Sequence, residues 1–296
     1  MKWIKLKAYG KINLCLDVLG KREDGYHEVR MIMQMIGIYD RLYMERIPED
    51  KVWLETNLPY LPTGETNLVC RAIQMLREEF HIKEGVRAEL QKYIPVAAGM
   101  AGGSSDAAAA LVGMNQMFGL GLSMEQLMER GVKLGADVPY CIMRGTALSE
   151  GIGEKLTPLP GPTDCYVLIA KPKVGASTKV IYEKYDACTD VKHPDVDAMI
   201  EALKNQDLDR VAATMGNVLE PVTEAECPVI ADVRRTMLEG GAMAAMMTGS
   251  GPTVFGLFRE EQDAARVKEI LRQDNRLRQI YLTEWFRPRN ERGADA

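Results

Sequence analysis

The sequence predicts an α+β fold in two halves. Three observations carry this expectation. The chain has 296 residues, 46% of them hydrophobic and 27% charged, the composition of a folded protein and a length for one large or two modest domains. Strand-like and helix-like segments alternate irregularly, without the regular rhythm of a doubly wound sheet. A proline–glycine cluster, "LTPLPGPTD" at 156–164, divides the chain near its middle.

The first half opens with β-like runs at Lys2–Lys7, Ile12–Leu19 and Glu28 to about Arg46. "TNLVCRAIQMLREEF" then places Leu68, Ala72, Met75, Leu76 and Phe80 on one helical face. Val86–Pro95 alternates and stops at proline, which reads as a strand leaving into a loop. That loop, "PVAAGMAGGSSDAAAA" (Pro95–Ala110), feeds a helix rich in alanine, the strongest helix former. "SMEQLMERGVKLG" starts with Ser123 and Gln126 at capping-box spacing.

The second half begins with the apolar run "CYVLIAKP". Helix-like segments follow near Asp195–Asn205, Leu208–Leu219 and Pro228–Glu239, the last stopped by Gly240 and Gly241. Two strand-like runs flank a second glycine turn, "TGSGPT" (Thr248–Thr253). A helix around Asp263–Arg272 and a strand around Ile280–Phe286 close the fold. The tail "RPRNERGADA" is polar and expected to fray.

Composition excludes several classes. No run of roughly 18 apolar residues is present, so no membrane span is expected. "MKWIKLKAYGK" lacks the apolar region of a signal peptide, which makes a cytoplasmic protein the expectation. Six cysteines without a C-x-x-C pair, and three histidines, argue against zinc or a disulfide framework and for buried thiols. Eighteen methionines read as filler of irregular core gaps. The net charge is -5 and no basic stripe suggests nucleic acid. Any phosphate site must therefore be built locally.

The loop before the alanine helix could build one. Glycine lets backbone approach an anion and adopt positive φ, and a helix start offers unsatisfied N–H groups and a positive dipole end. Ser104 or Ser105 could cap the helix or donate a hydroxyl to phosphate. Taken alone, the run fits equally a strand–turn–helix corner whose glycines serve packing. Asp106 complicates the phosphate reading, because an acid repels phosphate unless a cation intervenes or the acid turns away. A magnesium-bearing nucleotide would relieve the conflict; the sequence assigns no magnesium ligand, and Ser105 and Asp106 are only candidates.

Three stretches, in order, carry a resemblance to a known family. "PVAAGMAGGSSDAAAA" closely resembles the nucleotide loop of the GHMP kinases, which phosphorylate small alcohols and acids with ATP. "KAYGKINLCLDVLGKREDGYHEVRMIMQ" (Lys7–Gln34) resembles the family's first motif, and "MTGSGPTVFGLF" (Met247–Phe258) its glycine-rich third motif. The resemblance implies an N-terminal ribosomal-protein-S5-like domain over 1–158 that binds nucleotide. It also implies a C-terminal ferredoxin-like α/β domain over 159–290, with a tail at 291–296.

The resemblance also implies the site. ATP would lie along Pro95, Val96, Ala97, Ala98, Gly99, Met100, Ala101, Gly102, Gly103, Ser104 and Ser105, with Asn67 near it. Lys11 in "GKINL" and Asp137 in "GADVPY" would be the catalytic pair. The carboxylate of Asp137 would orient the hydroxyl and accept its proton, and the lysine would stabilise developing charge. Thr248, Gly249, Ser250 and Gly251 would form the opposite wall, and Asn13 and Thr178 would touch substrate.

The run "GKREDGYHEV" is similar to that of family members whose alcohol carries a cytidylyl group. It implies that Tyr26 and Tyr182 stack on a pyrimidine and that His27 reaches its edge. His81 and His193 have no such context and read as surface residues. The implied reaction moves the γ-phosphate of ATP to the tertiary 2-hydroxyl of a cytidylyl-methylerythritol, in non-mevalonate isoprenoid synthesis. Mg²⁺ would accompany ATP. No nucleic acid or membrane partner is expected, and the chain would be a monomer or weak homodimer. The alternatives are a mevalonate-, homoserine- or galactose-type kinase of the same family, or a non-catalytic nucleotide sensor of the same fold.

Overall fold

A computed structural model describes residues 1–287 of the chain; the expected tail at 291–296 lies outside them. From the N-terminus the elements run β1 (Trp3–Lys21), β2 (His27–Ile47), β3 (Val52–Thr56), α1 (Leu68–Glu79), β4 (Gly85–Gln91), α2 (Gly102–Phe118), α3 (Met124–Val132), α4 (Val138–Met143), β5 (Thr146–Gly151), β6 (Lys155–Leu159), β7 (Tyr166–Pro172), α5 (Thr178–Tyr185), α6 (Val196–Lys204), α7 (Leu208–Thr214), β8 (Gly216–Asn217), α8 (Glu220–Glu226), α9 (Val229–Glu239), β9 (Ala244–Met247), β10 (Val254–Phe258), α10 (Glu261–Arg272) and β11 (Leu277–Glu284).

These elements form two compact units that interleave in sequence. The first comprises Met1–Gly10, Ile38–Val96 and Ala101–Met143; the second comprises Lys11–Gly37, Ala97–Met100 and everything from Arg144 on. The division read from the linker near residue 158 follows the chain. The compact units instead each take one half of β1 and one half of β2. The two expected runs at Lys2–Lys7 and Ile12–Leu19 are one continuous strand, because Gly10 and Lys11 are buried strand residues rather than a break.

In the first unit the strand order is β3-β4-β2-β1. β4 runs antiparallel to β2, from Arg41 opposite Gln91 to Ile47 opposite Gly85, and β3 runs parallel to β4. Helix α1 packs on α2 and on β3. Its buried residues are Val69, Cys70, Ala72, Ile73, Leu76 and Arg77. The expected face is thus rotated: Leu68, Met75 and Phe80 are only half-buried, while Val69, Cys70 and Ile73 are buried. Helix α2 is the core helix, with Ala107, Ala108, Ala110, Leu111 and Met114 buried. Its small residues are required by close approach: a Cβ on Gly113 would sit 2.8 Å from side-chain atoms of Leu6 and Met44. The capping box of Ser123 and Gln126 is present at the start of α3.

In the second unit β5 pairs antiparallel with β2 and with β6, and β8 pairs parallel with β1. A separate four-stranded antiparallel sheet has the order β11-β7-β10-β9. The helix expected over Leu208–Leu219 stops at Thr214, because Gly216 and Asn217 leave it to pair with Cys15 and Leu16. Strand β11 starts at Leu277, earlier than expected, since it pairs along all of β7.

Candidate active site

Within the second unit, residues from four distant segments converge. The backbone N–H of Lys11 donates to the carbonyl of Met100 at 3.1 Å. The ammonium of Lys11 donates to Asn13 Oδ1 at 2.8 Å. The N–H of Asn13 donates to Thr248 Oγ1 at 3.0 Å. Lys11, Asn13 and Thr248 are 4%, 0% and 0% exposed, so this chain of bonds fixes the lysine in one position.

The two glycine turns meet backbone to backbone. Gly99 has φ 73° and Gly249 has φ 59°. A Cβ on Gly99 would collide with the carbonyl oxygen of Thr248, and one on Gly249 would lie 3.0 Å from the carbonyl oxygen of Gly99. Only glycine permits both the conformation and the approach. Thr178 Oγ1 and Ser250 Oγ share a hydrogen bond of 2.8 Å. The sequence-expected Lys11, Asn13, Ala97–Met100, Thr178 and Thr248–Gly251 all belong to this unit.

Sequence reasoning missed the residues that hold the 248–251 turn. Asn217 Nδ2 donates to the carbonyls of Met247 and Gly249, each at 2.9 Å. Thr223 Oγ1 donates to the carbonyl of Ser250 at 3.3 Å. Glu220 accepts from the Met247 N–H, and burial is the main cause that raises its carboxyl above the usual range. Nothing local marks these three residues, which lie 27 to 32 positions from the groups they hold.

In the first unit the loop continues into α2. Ala101, at φ 53°, precedes the helix and offers no side-chain cap. The expected serine cap is absent because the helix begins at Gly102, before either serine. Ser105 N–H donates to the Ala101 carbonyl at 2.9 Å, and Ser105 Oγ donates to the Tyr9 carbonyl at 2.7 Å. The amides of Gly102, Gly103 and Ser104 precede that first helical bond, so they are the donors that a helix start leaves open. Pro95 and Val96 lead into this loop from the first unit. Asn67 caps α1: Oδ1 accepts from Val69 N–H at 2.9 Å and Nδ2 donates to the Pro62 carbonyl at 2.8 Å. Asp137 is half-buried immediately before α4, where its carbonyl accepts the Cys141 N–H at 3.1 Å. Its position is a helix start.

Asp106 is turned away from the loop. It is 3% exposed, and its Oδ2 accepts from Lys92 Nζ at 2.6 Å. Burial pushes its carboxyl well above the usual carboxylate range; Lys92 opposes this and Asp40 adds to it. Asp106 therefore does not fit as a magnesium ligand, because its carboxyl is committed to a buried lysine. Among the described residues no group of three His, Cys, Asp or Glu side chains is arranged to hold a metal. No helix among them is long and apolar enough to cross a membrane.

A second cluster in the second unit surrounds the "DGYH" turn. Gly25 takes φ 84° there. His27 Nε2 meets Asp186 Oδ1 at 2.6 Å, and its ring centroid lies 4.6 Å from that of Tyr182. Lys21 Nζ also donates to Asp186, at 2.6 Å. The hydrogen bond from Lys21, then that from His27, lowers the Asp186 carboxyl from its ordinary value. Tyr26 is 59% exposed, so its ring faces solvent. The structure thus brings Tyr182 against His27 and adds Asp186, which the sequence did not single out. His193 is exposed, as expected; its Nδ1 meets Asp17 Oδ1 at 2.7 Å, beside a cavity of about 630 Å³ that Lys21, Tyr185 and Asp186 also line. His81 is exposed, as expected.

Comparison with known proteins agrees with this arrangement of motifs. Residues 67–145 match the family described as GHMP kinases N terminal domain, and residues 199–276 match GHMP kinases C terminal. The chain is 56% identical to the 4-diphosphocytidyl-2-C-methyl-D-erythritol kinase of Lachnospira eligens, over 97% of this chain and 100% of that one. It is 50% identical to the enzyme of that name from Lachnoclostridium phytofermentans, over 98% and 100%. A crystal structure of 4-(cytidine 5'-diphospho)-2C-methyl-D-erythritol kinase superposes with TM-score 0.80 at 30% identity, over 95% of this chain and 99% of that one. The homoserine kinase of Cytophaga hutchinsonii shares the fold, with TM-score 0.76 at 19% identity over 96% and 95%. The chain belongs to the GHMP kinase family, and within it to the 4-diphosphocytidyl-2-C-methyl-D-erythritol kinases.

Proposed function

We propose that this chain transfers the γ-phosphate of ATP to the tertiary 2-hydroxyl of 4-diphosphocytidyl-2-C-methyl-D-erythritol, a step of non-mevalonate isoprenoid synthesis in the cytoplasm. The observation that carries this reading is the 56% identity to a relative of that name over 97% of the chain. The geometry supports it. Phosphoryl transfer is catalysed chiefly by positioning and electrostatic stabilisation, and the Lys11–Asn13–Thr248 bonds hold an ammonium in place on a strand whose Lys11 N–H donates to the Met100 carbonyl.

In this reading the phosphates lie along Pro95–Ser105, held by backbone N–H groups of the loop and of the α2 start. Asp137 orients the substrate hydroxyl and accepts its proton. The hydroxyl oxygen bonds to the γ-phosphorus as the bond to the β-phosphate oxygen breaks, and ADP leaves. Lys11 stabilises the charge that develops on the transferring oxygens. Mg²⁺ carried by ATP would neutralise part of the phosphate charge. His27 and Tyr182 take the cytosine, with Tyr26 as a second stacking face; Thr178 and Thr248–Gly251 border the alcohol.

Two measurements test this. Phosphorylation of the cytidylyl-methylerythritol should exceed that of mevalonate, homoserine and galactose; preference for any of these three defeats the substrate assignment. Asp137→Asn should lower kcat by about 10²–10⁴-fold, the usual span of general-base catalysis. A folded variant with wild-type turnover would remove Asp137 from the mechanism.

A further inference from the structure

One buried ionic cluster of the first unit has no part in the chemistry above. Lys92 follows β4, Asp40 lies in β2 and Asp106 lies in α2. Lys92 Nζ bonds both carboxylates, that of Asp106 at 2.6 Å. The side chains of Lys92, Asp40 and Asp106 are 4%, 0% and 5% exposed. Three ionisable groups out of water are a poor route to stability, since apolar packing of the same volume commonly does as well or better. An ammonium near a helix N-terminus also opposes the helix dipole, yet Lys92 Nζ lies 3.2 Å from where a Cβ of Gly102 would be.

What the cluster touches accounts for its presence. Asp40 Oδ1 accepts the N–H of Tyr93, and that of Ile94 at 2.8 Å. These residues immediately precede Pro95, where the glycine loop begins. Asn57 clamps the same stretch, accepting from Lys92 N–H at 2.8 Å and donating to the Lys92 carbonyl at 3.1 Å. On its other side Lys92 holds Asp106, one turn after Gly102. The cluster therefore ties the chain leading into the loop to the helix leaving it.

We propose that Asp40, Lys92 and Asp106 are positioning residues for the nucleotide: they lock the strand before the loop to the first turns of α2, so that the amides of Gly102, Gly103 and Ser104 are set for phosphate before ATP arrives, and Asp106 serves as a neutral acid. This rests on the nucleotide reading given above. One carboxylate suffices to balance one ammonium, and a second buried negative charge would be uncompensated. The hydrogen bonds assign the proton to Asp106: Asp40 accepts from Lys92 and from the N–H groups of Tyr93 and Ile94, whereas Asp106 Oδ1 is buried with no hydrogen-bond partner, and burial raises the Asp106 carboxyl. Lys92 stays charged because its Nζ meets the carboxylate of Asp40. Fixing the loop beforehand lowers the ordering cost of binding.

The test is nucleotide binding by the full chain, read by calorimetry with ADP and with a non-hydrolysable ATP analogue, alongside steady-state kinetics. Lys92→Met should weaken nucleotide Kd and raise KM for ATP by about tenfold or more. Its kcat and its KM for the alcohol should stay within about threefold, the split that a loss of uniform nucleotide binding gives. Asp106→Asn, which keeps the shape of a neutral acid, should bind nucleotide within about threefold of wild type. Lys92→Gln is the second variant should Lys92→Met not fold. Wild-type nucleotide Kd in a folded Lys92 variant overturns the proposal, as does an equal rise in KM for both substrates. An Asp106→Asn variant as weak as Lys92→Met overturns the neutral acid. A wild-type chain that binds neither nucleotide defeats the nucleotide reading itself.

Discussion

An acid four residues beyond Gly102 is compatible with a phosphate loop because its carboxyl points inward and meets Lys92. Burial makes that acid hold its proton to higher pH in the folded chain than in the unfolded one. The sign of the linkage follows. Asp106 favours the fold most below its unfolded value near 3.8, and this contribution is lost as pH rises towards the raised folded value. Asparagine has no such titration. The melting temperature of Asp106→Asn should therefore gain on that of wild type as pH rises from 4 towards neutrality, a range set by the ordinary carboxylate value. Calorimetric scans across that range check it, and parallel profiles would mean that Asp106 titrates as an ordinary acid.

At the scale of elements, α2 unites the features that the loop and the core demand. Its start must be glycine-rich for backbone approach, and its body must be small to lie close to the strands. Ala110 is fully buried. Ala110→Leu inserts three carbons where no space exists, so it should cost about 1–3 kcal/mol. Urea unfolding measures this, and an unchanged midpoint would show that α2 can move away from its neighbours. Helix α5 plays a comparable part in the second unit: its C-cap residue, Asp186, joins Lys21 and His27 of the first two strands.

At the scale of the whole molecule, the thiols report how completely the two units bury their interiors. Cys15, Cys70, Cys141, Cys165 and Cys227 are buried, and Cys188 is exposed. Burial is the main cause that pushes the Cys15 and Cys165 thiols up to about 12 and the Cys70 thiol up to about 11. A thiolate is the reactive form, so these groups are inert in the fold. The native chain should release one fast equivalent from a chromogenic disulfide reagent, and the urea-unfolded chain all six. Two or more fast equivalents in the native state would show that one of the buried thiols opens locally.

Features that depend on neighbours along the chain are legible in the amino-acid order. The α+β class, the Ser123 capping box, the Gly240 stop and the two glycine turns are set by local backbone chemistry, and the ordered motifs carried the family and the candidate residues. Contacts across long separations were decided only by the tertiary structure. The buried face of α1 depends on α2 and β3 covering it. The end of α7 depends on β1 recruiting Gly216 and Asn217. The two units interleave because β1 and β2 are long enough to serve both. Asp106 could not be placed from its neighbours, which suggested only conflict with phosphate. Its partner Lys92 lies 14 residues earlier, and Asp40 another 52 before that. Asp186 and Asn217 were invisible for the same reason. A charge or an amide takes its role from what it faces in three dimensions, and no spacing in the sequence encodes that.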